Sequence, residues 1–307
     1  MYQQPFRTEE LQAELERTLG FKLGPLVRIG GGGAINFKAE RVSDGLKFVV
    51  KCFPPDRRES GERLLETLKT MEGVKTPVRL FAEALPAVLL DHLVFCLSWQ
   101  EGEVIAPDRL TDEQWRAFLD DYRRFSERMR AVVTKDEVVP IGDLWRSARA
   151  ACRGLAARIL SPGLDVMRED ELDFKKELTQ TVHGDFHQGN LLFCDGGLRC
   201  FMDLESLRKG YPAEDICGLL MIAASRLGIS DWNRRERLLS LFGQAVRQLP
   251  YSPQEWRTAI NALSVKRLHR KTDGFVRMGM IVALDMASWM RLGNLFRRRV
   301  DAEEKVN

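Results

Sequence analysis

The run Val182-His183-Gly184-Asp185-Phe186-His187-Gln188-Gly189-Asn190 and the later Phe201-Met202-Asp203-Leu204-Glu205 hold the residue types that phosphoryl transfer needs. A carboxylate can orient a hydroxyl and accept its proton. An amide oxygen and a second carboxylate can ligate Mg²⁺ that bridges nucleotide phosphates. Taken singly, each acid or amide reads as a turn cap. The ordered set, an Asp, an Asn 5 positions on and an Asp-x-Glu 13 positions later, is much harder to obtain by chance.

These residues need elements to hold them. Leu191-Leu192-Phe193 reads as a short apolar strand, Asp195-Gly196-Gly197 as a tight turn, and Leu198 to Leu204 as a returning strand. Asp185 and Asn190 then lie on a loop entering one strand of a hairpin, and Asp203 sits where its partner runs out. Such a hairpin can draw Asp185, Asn190 and Asp203 together although 18 residues separate the outer pair.

His183-Gly-Asp-x-His-x-Gly-Asn190 with Asp203-x-Glu205 resembles the aminoglycoside phosphotransferase and choline kinase group, a branch of the protein-kinase-like fold. The resemblance implies an α+β, bilobal protein-kinase-like fold, with a small antiparallel β-sheet N-lobe carrying one main helix and a larger, mostly helical C-lobe. It implies ATP and Mg²⁺ as cofactors, Asp185 as the catalytic carboxylate, Asn190 as a metal ligand and Asp203 as the main metal ligand. His183 becomes a scaffold residue and His187 a loop residue near the phosphates. Glu205 supports either the metal or the substrate hydroxyl.

A kinase of this fold should also carry a glycine-rich turn, a strand lysine and a helix glutamate, in that order. Leu26 to Ile29 leads into Gly30-Gly31-Gly32-Gly33, where glycine lets backbone N–H groups approach phosphate oxygens. The resemblance makes Gly31, Gly32 and Gly33 nucleotide-binding residues; a flexible hairpin is the plainer reading. Phe48-Val49-Val50-Lys51-Cys52-Phe53 reads as a buried strand, and a lysine inside it is costly unless its charge is paired. Lys51 is therefore placed on the nucleotide phosphates, the alternative being an edge strand with Lys51 in water. Residues 57–72 form a helix with Leu64, Leu65, Leu68 and Met71 on its apolar side. Glu62 is the acid chosen to pair with Lys51, with Glu66 one turn on nearly as good.

The rest of the chain frames these motifs. Thr8 to Leu19 reads as an amphipathic helix closed by Gly20, and Val88 to Leu97 as one strand. Ser98 to Glu103 reads as the segment joining the lobes. Ser98 and Gln100 are, by position in the family, the candidates to meet the adenine edge. The division expected is 1–101 for the nucleotide lobe and 102–307 for the catalytic and acceptor lobe. Thr111-Asp-Glu-Gln114 and Ser252-Pro-Gln-Glu255 are capping boxes that open helices. In the family an Asp matching Asp215 anchors the catalytic loop.

With 307 residues, 44% hydrophobic and 30% charged, the chain is that of a water-soluble globular protein. No apolar run approaches a bilayer span, and the start lacks a secretory pattern. Six cysteines without a Cys-x-x-Cys pair suit reduced thiols in a cytoplasm. From Arg226 onward there are 16 Lys/Arg against 8 Asp/Glu, compared with 31 against 36 before it. That excess argues against a polycationic acceptor and for an anionic one; a solvated helix face is the plainer reading. Basic runs without interleaved aromatics argue against nucleic acid. The expectation is a kinase acting on a hydroxyl of a small molecule, such as a sugar, amino alcohol or aminoglycoside-like acceptor. Two alternatives stay open: a kinase of a bulky anionic acceptor such as a lipopolysaccharide sugar or a protein, and an inactive nucleotide-binding module. The sequence leaves the oligomeric state undetermined.

Overall fold

A computed structural model describes residues 6–30, 33–77, 79–80, 85–132, 142–143, 146, 179–227 and 231–305, with side chains omitted at 79–80 and 267–288. The chain divides into two compact units, Met1–Glu103 with Arg199–Glu205, and Val104–Leu198 with Ser206–Asn307. The short returning segment is what a linear cut at residue 101 misses. Phe201 N–H donates to Lys75 O at 2.7 Å, and Lys51 bonds Glu205, so 199–205 is held within the first unit.

The first unit opens with α1 (Thr8–Leu19), closed by Gly20 in the left-handed conformation at φ 74°. Its sheet is antiparallel, built from β1 (Val27–Arg28), β2 (Ile35–Glu40), β3 (Lys47–Phe53), β4 (Arg79–Leu80), β5 (Ala87–Leu89) and β6 (His92–Ser98). The order is β1-β2-β3-β6-β4, with β5 also on β6. β3 is central: Lys51 stands opposite Asn36 on one side and Phe95 on the other. The edge-strand alternative for Lys51 is thereby removed. Between β3 and β4 runs α2 (Arg58–Thr70). Its inner face is Gly61, Leu64, Leu65 and Thr67, and a Cβ on Gly61 would lie 2.9 Å from Phe53 and Leu93. Close approach at that glycine fixes the roll of the helix.

The single strand expected over 88–97 is instead a hairpin. Leu90 and Asp91 take φ 49° and 64°, so the chain reverses between β5 and β6 in a tight left-handed turn. Its sequence lacks the usual Asn-Gly signal, which is why the run reads as continuous.

The second unit is mostly helical. α3 (Asp112–Met129) starts at a capping box in which Thr111 accepts from Gln114 N–H. It buries Trp115, Phe118, Leu119, Tyr122, Phe125 and Met129, the spacing of one helix face. The next strands among the described residues are β7 (Gln180–Val182) and β8 (Leu191–Cys194), with β10 (Arg208–Gly210) pairing back on β7, while β9 (Gly197–Phe201) begins here and runs into the segment assigned to the first unit. β8 and β9 form a hairpin around Asp195 and Gly196, at φ 50° and 79°. α4 (Glu214–Ser225) is buried on nearly every side, and α5 (Trp232–Gln248) and α6 (Pro253–Glu304) pack against it. Ser252 caps α6 with Glu255, Pro253 occupying the first turn. Five described cysteines are free thiols. Among the described residues no helix is long and apolar enough to cross a membrane.

Candidate active site

The loop from His183 to Asn190 is pinned from beneath. Asp215, in the first turn of α4, accepts from His183 N–H at 2.9 Å and Gly184 N–H at 3.3 Å. Burial pushes the Asp215 carboxyl upward, against the pull of His183 and these two donors. Gly184 takes φ +82°, and a Cβ there would stand 2.3 Å from Ser206 O. Only glycine fits that backbone. The His183 ring is fully buried, packed against Phe125 and Phe186.

On this base the Asp185 side chain emerges 52% exposed, with His187 Nε2 3.6 Å from its carboxylate. His187 Nδ1 accepts from Gly189 N–H at 3.0 Å, which in a neutral ring puts the proton on Nε2, the atom nearest Asp185. Asn190 closes the loop in a 3₁₀ turn, its amide nitrogen donating to Asp185 O at 2.8 Å. That bond assigns the amide nitrogen and leaves the carbonyl oxygen as Asn190's ligating atom.

In the first unit Lys51 is 7% exposed and its ammonium is paired. Nζ lies 2.8 and 2.9 Å from the two Glu205 oxygens and 3.9 Å from Asp203 Oδ1. Burial pushes the Glu205 carboxyl up, but the adjoining Lys51 charge and its hydrogen bonds outweigh this and hold it below the usual range. Asp203 sits at φ 61°, a left-handed backbone that aspartate tolerates better than most side chains.

Glu62, chosen from sequence as the partner of Lys51, is not beside it. It pairs with Arg58 at 3.1 Å, both side chains 55% exposed. Glu66 pairs with Lys69 in the same exposed way. The reason is the roll of α2: the face carrying Gly61, Leu64 and Leu65 goes inward, so the stripe with Glu62 and Glu66 goes out. Lys51 finds Glu205 instead. Ser98 ends β6, and Gln100 Nε2 donates to its hydroxyl at 2.7 Å. Trp99 lies between them in sequence, with Lys38 Nζ 4.6 Å from its ring centre. Gly31 and Gly32 lie outside the described residues. Around Gly33 a Cβ would meet nothing within 4 Å, so crowding does not require glycine there.

Sequence reasoning missed a third cluster. Glu214 is 2% exposed, yet accepts from Arg208 at 2.5 Å, Lys266 at 2.9 Å and Tyr211 N–H at 3.1 Å. Burial pushes its carboxyl up, but the two cations pull it down to about 2. The three side chains are spread over 58 residues with no local signature. They line a cavity of about 240 Å³ that also contains Asp185, Phe186 and Trp289.

The geometry can be set beside known proteins. The family model of the phosphotransferase enzyme family matches residues 27–256. The chain belongs to that family. Solved structures similar to it include a spectinomycin phosphotransferase in complex with ADP and spectinomycin, at 15% identity and TM-score 0.63, over 98% of this chain and 100% of that one. A thermostable mutant of an aminoglycoside phosphotransferase, in ternary complex with AMP-PNP and hygromycin B, aligns at 14% identity and TM-score 0.58, over 92% and 99%. A macrolide 2′-phosphotransferase from Brachybacterium faecium, as apoenzyme, aligns at 14% and 0.56, over 92% and 97%. At such identities the likeness is one of fold: the protein-kinase-like α+β architecture, with its small antiparallel sheet and helical remainder. No match is found among curated proteins.

Proposed function

We propose that this phosphotransferase moves the γ-phosphate of ATP, with Mg²⁺, to a hydroxyl of a small molecule. The observation that carries the reading is Asp185: an exposed carboxylate on a loop whose backbone is clamped by buried Asp215 and tied by Asn190. An acid held that firmly, yet open to solvent, suits a group that must orient an incoming hydroxyl.

In this reading Asp185 accepts a hydrogen bond from the acceptor hydroxyl and takes its proton as the new oxygen–phosphorus bond forms and the bond from the γ-phosphorus to the β,γ-bridging oxygen breaks, releasing ADP. The transition state of such transfers is loose, so alignment and charge stabilisation supply most of the acceleration. Lys51 binds the α and β phosphates, with Gly31, Gly32 and Gly33 covering them and Ser98 and Gln100 at the adenine end. The residues suit a magnesium ion. Among the described residues no group of three or more His, Cys, Asp or Glu forms a closed metal cage. Mg²⁺ is commonly held by one or two protein oxygens plus the phosphates, and the Asn190 carbonyl and the Asp203 carboxylate offer such oxygens. The ion would neutralise phosphate charge. The ADP and AMP-PNP bound in two of the similar structures support nucleotide use. We place the protein in the cytoplasm, consistent with free thiols at every described cysteine.

The test is Asp185→Asn. It should fold, keep its stabilisation by ATP with Mg²⁺ in a thermal-shift assay, and lose phosphate transfer by roughly 10²–10⁴-fold. Full turnover in that variant would remove Asp185 from the chemistry.

A further inference from the structure

Among the described residues the cavity beside Asp185 is lined by five charged side chains, and burial sorts them. Glu214 and Asp215 are sealed at 2% and 3% exposure. Asp215 is committed to the backbone of His183 and Gly184, and Glu214 to Arg208, Lys266 and Tyr211 N–H. Of these five, the groups that reach the open space are Asp185, at 52%, and the side chains of Arg208 and Lys266, at 27% and 20%. One of the three is the acid reserved for the hydroxyl. The other two are cations, held in place by a buried carboxylate and, for Lys266, by the Tyr211 ring 5.7 Å away.

Both cations are fixed rather than trailing in water. Arg208 runs past the backbone of the catalytic loop, close enough that a Cβ on Gly184 would meet its Cγ at 3.0 Å. Glu214 is their common anchor, and its low carboxyl pKa keeps it charged throughout the physiological range. Among the described residues the apolar part of the lining includes Phe186, Ile222, Leu263 and Trp289. At about 240 Å³ the cavity is below the range of roughly 300–1,000 Å³ for drug-sized ligands.

Resting on the kinase reading above, we infer that the acceptor is a small hydroxyl compound bearing an anionic group, a carboxylate or a phosphate, which Arg208 and Lys266 bind while its hydroxyl meets Asp185. A polycationic acceptor would have to bring its ammonium groups against these two side chains, at a cost that like charges impose in a partly buried site.

The experiment is a transfer assay on the full chain with ATP and Mg²⁺ over four arms: hydroxy acids, sugar phosphates, neutral sugars, and cationic amino alcohols with aminoglycosides. The expected result is transfer to one of the two anionic arms, which also tells carboxylate from phosphate. Lys266→Gln should then raise KM for that acceptor by roughly tenfold, since a charge-assisted bond is lost, while kcat and the KM for ATP stay near wild type. Lys266→Arg should restore most of it, and the loss should be confined to the KM of the anionic acceptor, which a lysine serving Glu214 alone would not give. Stabilisation by ATP with Mg²⁺ reports that each variant is folded. If that stabilisation is present but transfer goes to neutral or cationic acceptors, or to none, the acceptor class is overturned alone. An unchanged KM in Lys266→Gln overturns it as well. If ATP with Mg²⁺ neither stabilises the protein nor supports transfer to any arm, the kinase reading itself falls.

Discussion

Each unit of this protein buries an acid against a lysine, and the two clusters have inverted stoichiometry. Around Lys51 one cation faces two acids, Glu205 at 2.8 Å and Asp203 at 3.9 Å. Around Glu214, among the described residues, one acid faces two cations, Arg208 at 2.5 Å and Lys266 at 2.9 Å. Burying an ion pair is seldom a route to stability, because desolvation offsets most of the attraction. Such clusters are better explained by the side chains they hold in place. In the proposed reading the first sets Lys51 for the nucleotide phosphates, and the second holds Arg208 and Lys266 beside Asp185.

The largest expected effect tests the second cluster. Glu214→Ala leaves two cations around a vacated, buried position, and breaking such an arrangement from one side costs about 3–5 kcal/mol. Urea unfolding would measure it. Glu214→Gln keeps the shape and separates charge from packing. Because the folded carboxyl is depressed to about 2, its contribution is full above the ordinary carboxylate pKa of about 4.3 and fades as pH falls through 2. Stability of the wild type should therefore drop across this acid window more steeply than that of Glu214→Gln. Parallel curves would mean that Glu214 is not charged in the folded state.

Next in size is the first cluster. Glu205→Gln keeps a hydrogen-bond acceptor for Lys51 but removes the charge, at roughly 1.5–3 kcal/mol for a charge-assisted bond. The lysine should then be less well placed on the nucleotide, and kcat/KM for ATP should fall by about 10–100-fold. Glu205→Asp should recover part of this if reach rather than charge is limiting. A Glu205→Gln enzyme with wild-type ATP kinetics would leave the pair a packing feature.

What could be read from the chain, and what could not, follows the range of the interactions. α1 announces its own ends, since Gly20 supplies the left-handed cap after an amphipathic run. Lys51 is conspicuous because a cation in an apolar strand demands a partner, and β3 is indeed central. The family motif marks Asp185 and Asn190, which share one short loop. The identity of the Lys51 partner was not legible. Choosing between Glu62 and Glu205 requires the roll of α2, which depends on Gly61 meeting Phe53 and Leu93. The turn at Leu90-Asp91 was hidden for the opposite reason: the apolar runs on either side of Asp91-His92 read together as one strand. The basic run near Arg297 reads as a solvated face, but Arg297 is 8% exposed and bonds Asn261 at 2.8 Å. Lys266 likewise reads as surface charge until α4 places Glu214 against it.

The smallest expected effect sharpens the contrast within the first unit. Glu62→Gln removes one exposed partner of Arg58, a pair in which each side chain is 55% open to water. Solvent and salt screen such a pair, so unfolding free energy should move by no more than about 0.5 kcal/mol. Kinetics with ATP should be unchanged, beside the loss in Glu205→Gln. The comparison is informative because in protein kinases a strand lysine is paired with a helix acid. If Glu62→Gln impairs ATP use as much as Glu205→Gln does, Lys51 exchanges partners when nucleotide binds, and the two-acid cluster is a resting arrangement. If only Glu205→Gln is impaired, the acid that steadies the lysine in this chain comes from the Asp-x-Glu segment, and α2 serves the sheet by packing alone.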